Sequence, residues 1–96
     1  MGVFKVDIFT PAEIVQKDLE VESFSIPTAA GIITVLPGHA SLVSKLNEGM
    51  FIIKQSKEKL CYKISAGLIK INKGHVLILS KNVKKVEDLK DIEFKF

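Results

Sequence analysis

The hydrophobic positions of this chain recur at every second residue in short runs, and each run is closed by Pro, Gly or Asn. Residues 3–10 alternate, with Phe4, Val6 and Ile8 on one face, and the run stops at Pro11. Side chains two apart share one face of a strand, so this is the period of a half-buried strand. Residues 13–17 read as the returning strand, and residues 21–26 as another, closed by Pro27. Thr28-Ala29-Ala30-Gly31 is a small-residue loop, and residues 32–36 form a strand stopped by Pro37-Gly38. Residues 50–55, 60–65, 68–72 and 76–79 follow at near-regular spacing, with turns at 56–59, Ala66-Gly67 and Lys73-Gly74. Many short strands between turn residues predict an all-β fold: an antiparallel two-sheet β-sandwich, or flattened barrel, in one domain.

The end of the chain breaks the pattern. Residues 82–91 are spaced for a helical turn or two, with Val83, Val86 and Leu89 on one side, and Phe94 and Phe96 return to strand-like alternation. The expected division is a sandwich over 1–88 and a short tail over 89–96. With 96 residues, one core is feasible without metal or disulfide staples.

Two of the later strands are apolar on both faces. Met50 and Ile52 oppose Phe51 and Ile53, and Val76 and Ile78 oppose Leu77 and Leu79. A strand of this kind is normally covered on both sides. Either a second sheet layer covers part of the surplus, or an apolar patch faces outward as a partner site.

Composition narrows the classes. Hydrophobic residues make up 47% of the chain, and the net charge is +3. All 14 basic residues are Lys. Phosphate and base recognition lean on the bidentate fork of Arg, so the lysines read as solvated surface and no nucleic-acid partner is expected. The single Cys61 cannot close an internal disulfide. The first residues lack a basic segment followed by an apolar run, so no signal peptide is expected. No stretch reaches the ~20 apolar residues of a membrane-spanning helix.

Candidate chemistry is sparse. His39 and His75 are the only imidazoles, and Cys61 sits mid-strand between Leu60 and Tyr62, outside any nucleophile context. A metal needs three or four convergent ligands, which this spacing does not suggest. There is no phosphate-binding loop, since Gly67 and Gly74 are isolated turn glycines. Glu20 with Glu22, and Asp88 with Asp91, read as surface charge. No catalytic group, metal or cofactor is expected. In Val35-Leu36-Pro37-Gly38-His39-Ala40 a strand runs into Pro-Gly, which makes a tight reversal and sets His39 at a loop tip.

In order along the chain, these segments resemble the β-sandwich domain of the ATP synthase ε family. The first strand ends in Thr10-Pro11, and a stretch from Leu19 to Pro27 leads to the loop Gly31. The most specific piece is a "VLPGHAPLL"-like run, matched by Val35-Leu36-Pro37-Gly38-His39-Ala40-Ser41-Leu42-Val43. A "PGVLRI"-like run follows at Glu48-Gly49-Met50-Phe51-Ile52-Ile53, and an "SGGFVEV"-like run at Ser65-Ala66-Gly67-Leu68-Ile69-Lys70-Ile71. The resemblance covers about residues 3–88. Ser41 departs from a common Pro, and Ala66 from a common Gly.

The family's C-terminal helical hairpin would begin about where this chain stops, which leads us to expect a naturally short subunit. Its Arg-containing nucleotide segment has no counterpart in Asp88-Leu89-Lys90-Asp91, so neither ATP binding nor hairpin inhibition is carried over.

The resemblance implies a non-catalytic rotor part of a proton-translocating ATP synthase. One side would dock on the γ subunit, and loops at one end would rest on the c ring, with membrane attachment only through the complex. Its place would be the cytoplasmic face of a bacterial membrane, or the equivalent organellar face. Met50, Ile52 and Lys54 share one strand face; Lys54 resists burial, so that face is read as outward, toward γ, with Phe51 and Ile53 inward. Gly31, Pro37, Gly38 and His39 are assigned to the c-ring side. The competing readings are a stand-alone β-barrel module binding nucleic acid or protein, and a hydrolase in which Cys61 meets a His.

Overall fold

The computed structural model describes residues 2–87, and the regular structure among them is all strand. The elements are β1 (Phe4–Phe9), β2 (Ile14–Val21), β3 (Ser23–Thr28), β4 (Gly31–Val35), β5 (Leu42–Leu46), β6 (Gly49–Gln55), β7 (Glu58–Ile64), β8 (Gly67–Asn72), β9 (His75–Ser80) and β10 (Val83–Val86). Hydrogen-bonded neighbours run β10-β7-β6-β3-β5-β8-β9-β1-β2, with β4 on the other side of β3. The path folds over at β3 and β5, which meet at a single pair, Thr28 with Leu46. One layer is therefore β5-β8-β9-β1-β2 and the other β10-β7-β6-β3-β4.

Successive strands reverse direction, so their connections alternate between the two ends of the sandwich. We call the end where β1 begins the upper end. It carries the 36–41 loop, the Ser56-Lys57 turn and the Lys73-Gly74 turn. The lower end carries the turns at 10–13, 29–30, 47–48, 65–66 and 81–82. All pairs are antiparallel but one: β1 lies parallel to β9, from Lys5 beside His75 to Phe9 beside Leu79.

The alternation seen in the sequence decides which face is core. Val6, Ile8, Ile26, Phe51, Ile53, Ile69 and Ile78 are fully buried. An aromatic row crosses between the layers: Phe4 to Phe24 at 5.8 Å, Phe24 to Phe51 at 5.1 Å and nearly perpendicular, and Phe51 to Tyr62 at 6.2 Å. Each such buried side chain contributes roughly 1.5–3 kcal/mol over an exposed one. Lower-end corners are tied by the buried Ser80, whose Oγ donates to Ser65 O or Asn82 O, each at 2.9 Å, and accepts from Ser65 N–H.

Three expectations are corrected. Val83 to Val86 is a strand, not a helical turn: β10 pairs with β7 from Val83–Ile64 to Val86–Cys61. Two valines three apart mimic helical spacing, but the β7 edge offers unpaired N–H and C=O groups, and Val favours strands. Residues 42–46 form a strand that the pattern did not announce, because they pair with β8 along their whole length. The returning strand β2 runs further than predicted, to Val21, with a register irregularity near Asp18, whose φ is 53°. The part of the helical expectation from Asp88 onward, and the 89–96 tail, lie outside the described residues.

Candidate docking surfaces

Strand alternation on β6 buries Phe51 and Ile53 completely and turns Met50, Ile52 and Lys54 to the outer face. Lys54 is exposed, whereas Met50 and Ile52 are half-buried. Their cross-strand neighbours on β7 explain the cover: Met50 faces Lys63, Ile52 faces Cys61, and Lys54 faces Lys59. The aliphatic stems of lysines lie along apolar surface in this way while their ammonium groups stay in water. Cys61 is buried, and burial pushes its thiol above the ordinary value. The thiolate is the nucleophile, so this cysteine is chemically quiet.

The opposite layer exposes more. On its outer face Leu68 of β8 pairs with Leu79 of β9, and Leu79 lies beside Phe9 of β1, which pairs with Ile14. Leu68 is 46% exposed, Leu79 39% and Ile14 63%. Phe9, Pro11, Gly67, Leu68 and Leu79 line a shallow apolar groove that opens toward the lower end, with Lys81 on its rim. Gly67 gives the groove its floor: a Cβ there would fall 1.8 Å from Leu79 O, so no other residue fits without moving backbone. Val43 of β5, 67% exposed, continues the outer face alongside Lys70. Among the described residues no element covers this surface.

The four residues assigned to the c-ring side are not brought together. Gly31 (φ 113°) begins β4 at the lower end, beside the Ala29-Ala30 turn. Pro37, Gly38 and His39 follow the other end of β4 and sit in the upper loop, where Gly38 has φ 82°. Five strand residues span about 15 Å. His39 is half-buried rather than displayed; its backbone N–H donates to Leu36 O at 3.1 Å, and Nδ1 donates to Ala40 O at 2.7 Å. A carbonyl only accepts, which fixes the proton on Nδ1.

One cluster has no counterpart in the sequence reading. His75 Nε2 donates to Asp7 Oδ2 at 2.9 Å, and Asp18 N–H donates to Asp7 Oδ1 at 2.7 Å. The Asp18 N–H, opposed by desolvation and helped by the hydrogen bond and charge of His75, holds the Asp7 carboxyl below its usual range. Possible ligand atoms of Asp7, Asp18 and His75 lie within 4.8 Å of one another. Both Asp7 oxygens already accept hydrogen bonds, however, so the cluster acts as a clasp joining β1, β2 and β9. His75 was visible as an imidazole, but nothing local pairs it with a residue 68 positions away.

Residues 3–86 match the family described as ATP synthase, Delta/Epsilon chain, beta-sandwich domain. The ATP synthase epsilon chain of Endomicrobium trichonymphae is 40% identical over 81 residues, which is 84% of this chain and 58% of that protein. That of Leptospira interrogans is 30% identical over 89 residues, 93% of this chain and 68% of that protein. The chain thus spans from under three-fifths to about two-thirds of the length of these relatives. Among solved structures, a chain of the Euglena gracilis mitochondrial ATP synthase assembly of OSCP, F1 and c-ring matches with TM-score 0.83 and 24% identity, over 97% of this chain and 61% of that one. A chain of the Tetrahymena thermophila mitochondrial ATP synthase central stalk and c-ring matches with TM-score 0.73 and 12% identity, over 92% and 68%. These two structures share the fold.

Proposed function

This chain belongs to the ATP synthase delta/epsilon family, and from that membership we propose that it is a non-catalytic rotor subunit of the central stalk. In this reading it docks by one sheet face on the γ subunit and by one end on the c ring. It transmits torque between them and catalyses nothing itself. It resides on the membrane face that carries the F1 sector, the cytoplasmic face in a bacterium, and reaches the membrane only through the complex.

The observation that carries the docking is the uncovered apolar surface around Leu68 and Leu79. Interfaces depend on a few central apolar anchors, and an exposed apolar patch on a small domain usually marks one. Met50, Ile52 and Lys54 offer a second face. There the apolar area is half-covered and flanked by Lys54, Lys59 and Lys63, so the Leu68/Leu79 face is the better supported seat for γ. Only one of the separated groups, Gly31 or Pro37-Gly38-His39, can form the end that meets the ring.

The test is titration of the purified chain with the γ subunit of the same host, followed by reconstitution with the c ring. A one-to-one γ complex supports the reading; wild-type protein that binds no γ overturns it.

A further inference from the structure

Apart from β5, which carries Lys45 and is joined to β3 at Thr28–Leu46, the sandwich has three strand edges among the described residues: β2, β10 and β4. An edge exposes a row of unpaired N–H and C=O groups, and soluble proteins blunt such rows with charges, bulges or Pro. The β2 edge carries Lys17, Asp18 and Glu20 and is kinked at Asp18. The β10 edge has Lys84 and Lys85 at its centre. The β4 edge, Gly31-Ile32-Ile33-Thr34-Val35, has no charge and no Pro, and its register with β3 is unbroken. Its Ile32 is 77% exposed, more than any other large hydrophobic side chain described.

The register says which backbone groups are free. Asn47 N–H donates to Pro27 O at 3.0 Å, so the Pro27 backbone faces away from β4. Groups alternate along a strand, so Phe24, Ile26 and Thr28 face β4, and their partners Val35, Ile33 and Gly31 face back. Ile32 and Thr34 therefore turn their N–H and C=O groups outward, two residues apart, the spacing at which an added strand hydrogen-bonds.

We propose that the β4 edge is a strand-addition site, filled by an extended, uncharged segment of the stalk subunit on which the chain is docked. This inference rests on the function proposed above. Main-chain bonds at Ile32 and Thr34 supply the attachment, and the side chains opposite them supply selectivity. A β-branched or aromatic residue fits beside Ile32, and a hydroxyl beside Thr34. A second copy of this chain is not the occupant. Five strand residues bury far less than the roughly 1,000 Å² a stable free interface needs. A segment already tethered by a larger contact needs no such area, because its effective concentration is high.

The experiment uses proline as a backbone probe. Thr34→Pro removes an outward N–H that no described strand uses, so the domain should melt as wild type does. Ile33→Pro removes an N–H bonded to β3 and should unfold it. Each is titrated with the host γ subunit, and amide hydrogen exchange is followed at Ile32 and Thr34 in free and bound wild type. The expected result is that Thr34→Pro binds γ about tenfold or more weakly, and that both amides exchange fast when free and at least about tenfold slower when bound.

If wild type binds γ but Thr34→Pro binds equally and the amides stay unprotected, the inference falls and the proposed function stands. If wild type binds no γ, both fall. Protection of these amides in the free monomer, or a dimer abolished by Thr34→Pro, names a different occupant and overturns the inference. Should Thr34→Pro itself fail to fold, the wild-type exchange comparison decides alone.

Discussion

His75 and Asp7 stand 68 positions apart in the chain and 2.9 Å apart in space, the imidazole Nε2–H donating across the parallel pair β9 and β1. The carboxylate of Asp7 has a depressed pKa in the folded state, first through the Asp18 N–H and then through His75. A depressed carboxylate contributes stability that is fully present above its ordinary value of 3.8 and is lost as pH falls through the lower folded value. Asp7→Asn should therefore cost about 1–2 kcal/mol near neutrality, a charged hydrogen bond being replaced by a neutral one. The deficit should shrink as the pH drops well below 4. Urea unfolding of both proteins across that range checks it; a deficit constant down to strong acid would mean that the charge is not its source.

Gly67→Ala asks the sheet to accept a methyl group 1.8 Å from Leu79 O. Backbone, unlike the tip of a side chain, cannot swing aside. A loss of about 3 kcal/mol is expected, the upper end of overpacking costs, with the lower end of the β8–β9 ladder spread apart. Chemical denaturation gives the number, and a loss within error of zero would contradict the close approach.

Docking faces can be separated by three aspartate substitutions. Leu68→Asp lies on exposed surface and should leave the melt intact while weakening γ association by about 2 kcal/mol or more. Ile52→Asp, on the half-covered face, should affect association less. Phe51→Asp, fully buried, should abolish folding, because a lone carboxylate cannot be accommodated in that core. Thermal melts paired with γ affinities decide the matter. Unimpaired binding by Leu68→Asp together with lost binding by folded Ile52→Asp would move the γ seat to β6.

The two loop groups assigned to the ring face opposite ends of β4. Photo-crosslinkers at Ala30 and at Gly38, tried one at a time in the assembled enzyme, should give mutually exclusive results. One should label subunit c and the other should not, because about 15 Å of strand separates them. Strong labelling of c from both sites would be incompatible with an end-on contact.

Cys61 should react with an aromatic disulfide reagent far more slowly than a free thiol at neutral pH, and at full rate once unfolded. It is buried, and its pKa is raised by that burial. Rapid reaction of the native protein would reopen the nucleophile reading.

Most strands were legible because one face of each is core. Phe4, Val6 and Ile8, or Phe51 and Ile53, write their alternation directly into the chain. Residues 42–46 did not, since Val43 is apolar yet exposed, and the strand is imposed by pairing with β8. Residues 83–86 misled because two valines three apart fit a helix as well as a strand, and only the adjoining β7 edge settles which forms. The separation of Gly31 from Pro37 was readable, since one five-residue strand between two loops must put them at opposite ends; grouping them by motif obscured it. The Leu68/Leu79 groove was only half readable: the surplus apolar residues of β9 were plain, but not that β1 would bring Phe9 alongside. The Asp7–His75 clasp was not readable, because it depends on which strands become neighbours.

That one parallel pairing also sets a timetable. On that side each residue of β1 from Lys5 onward waits for a partner 70 positions further along, Lys5 for His75 and Phe9 for Leu79. On a ribosome β1 can pair with β2 early, but its second edge finds no partner until most of the chain has been made. Contacts this remote in sequence slow folding, because a long loop must close before any of them forms. For that interval the strand that carries Phe4, Val6 and Ile8 has β2 on one side only, and its other edge stands open.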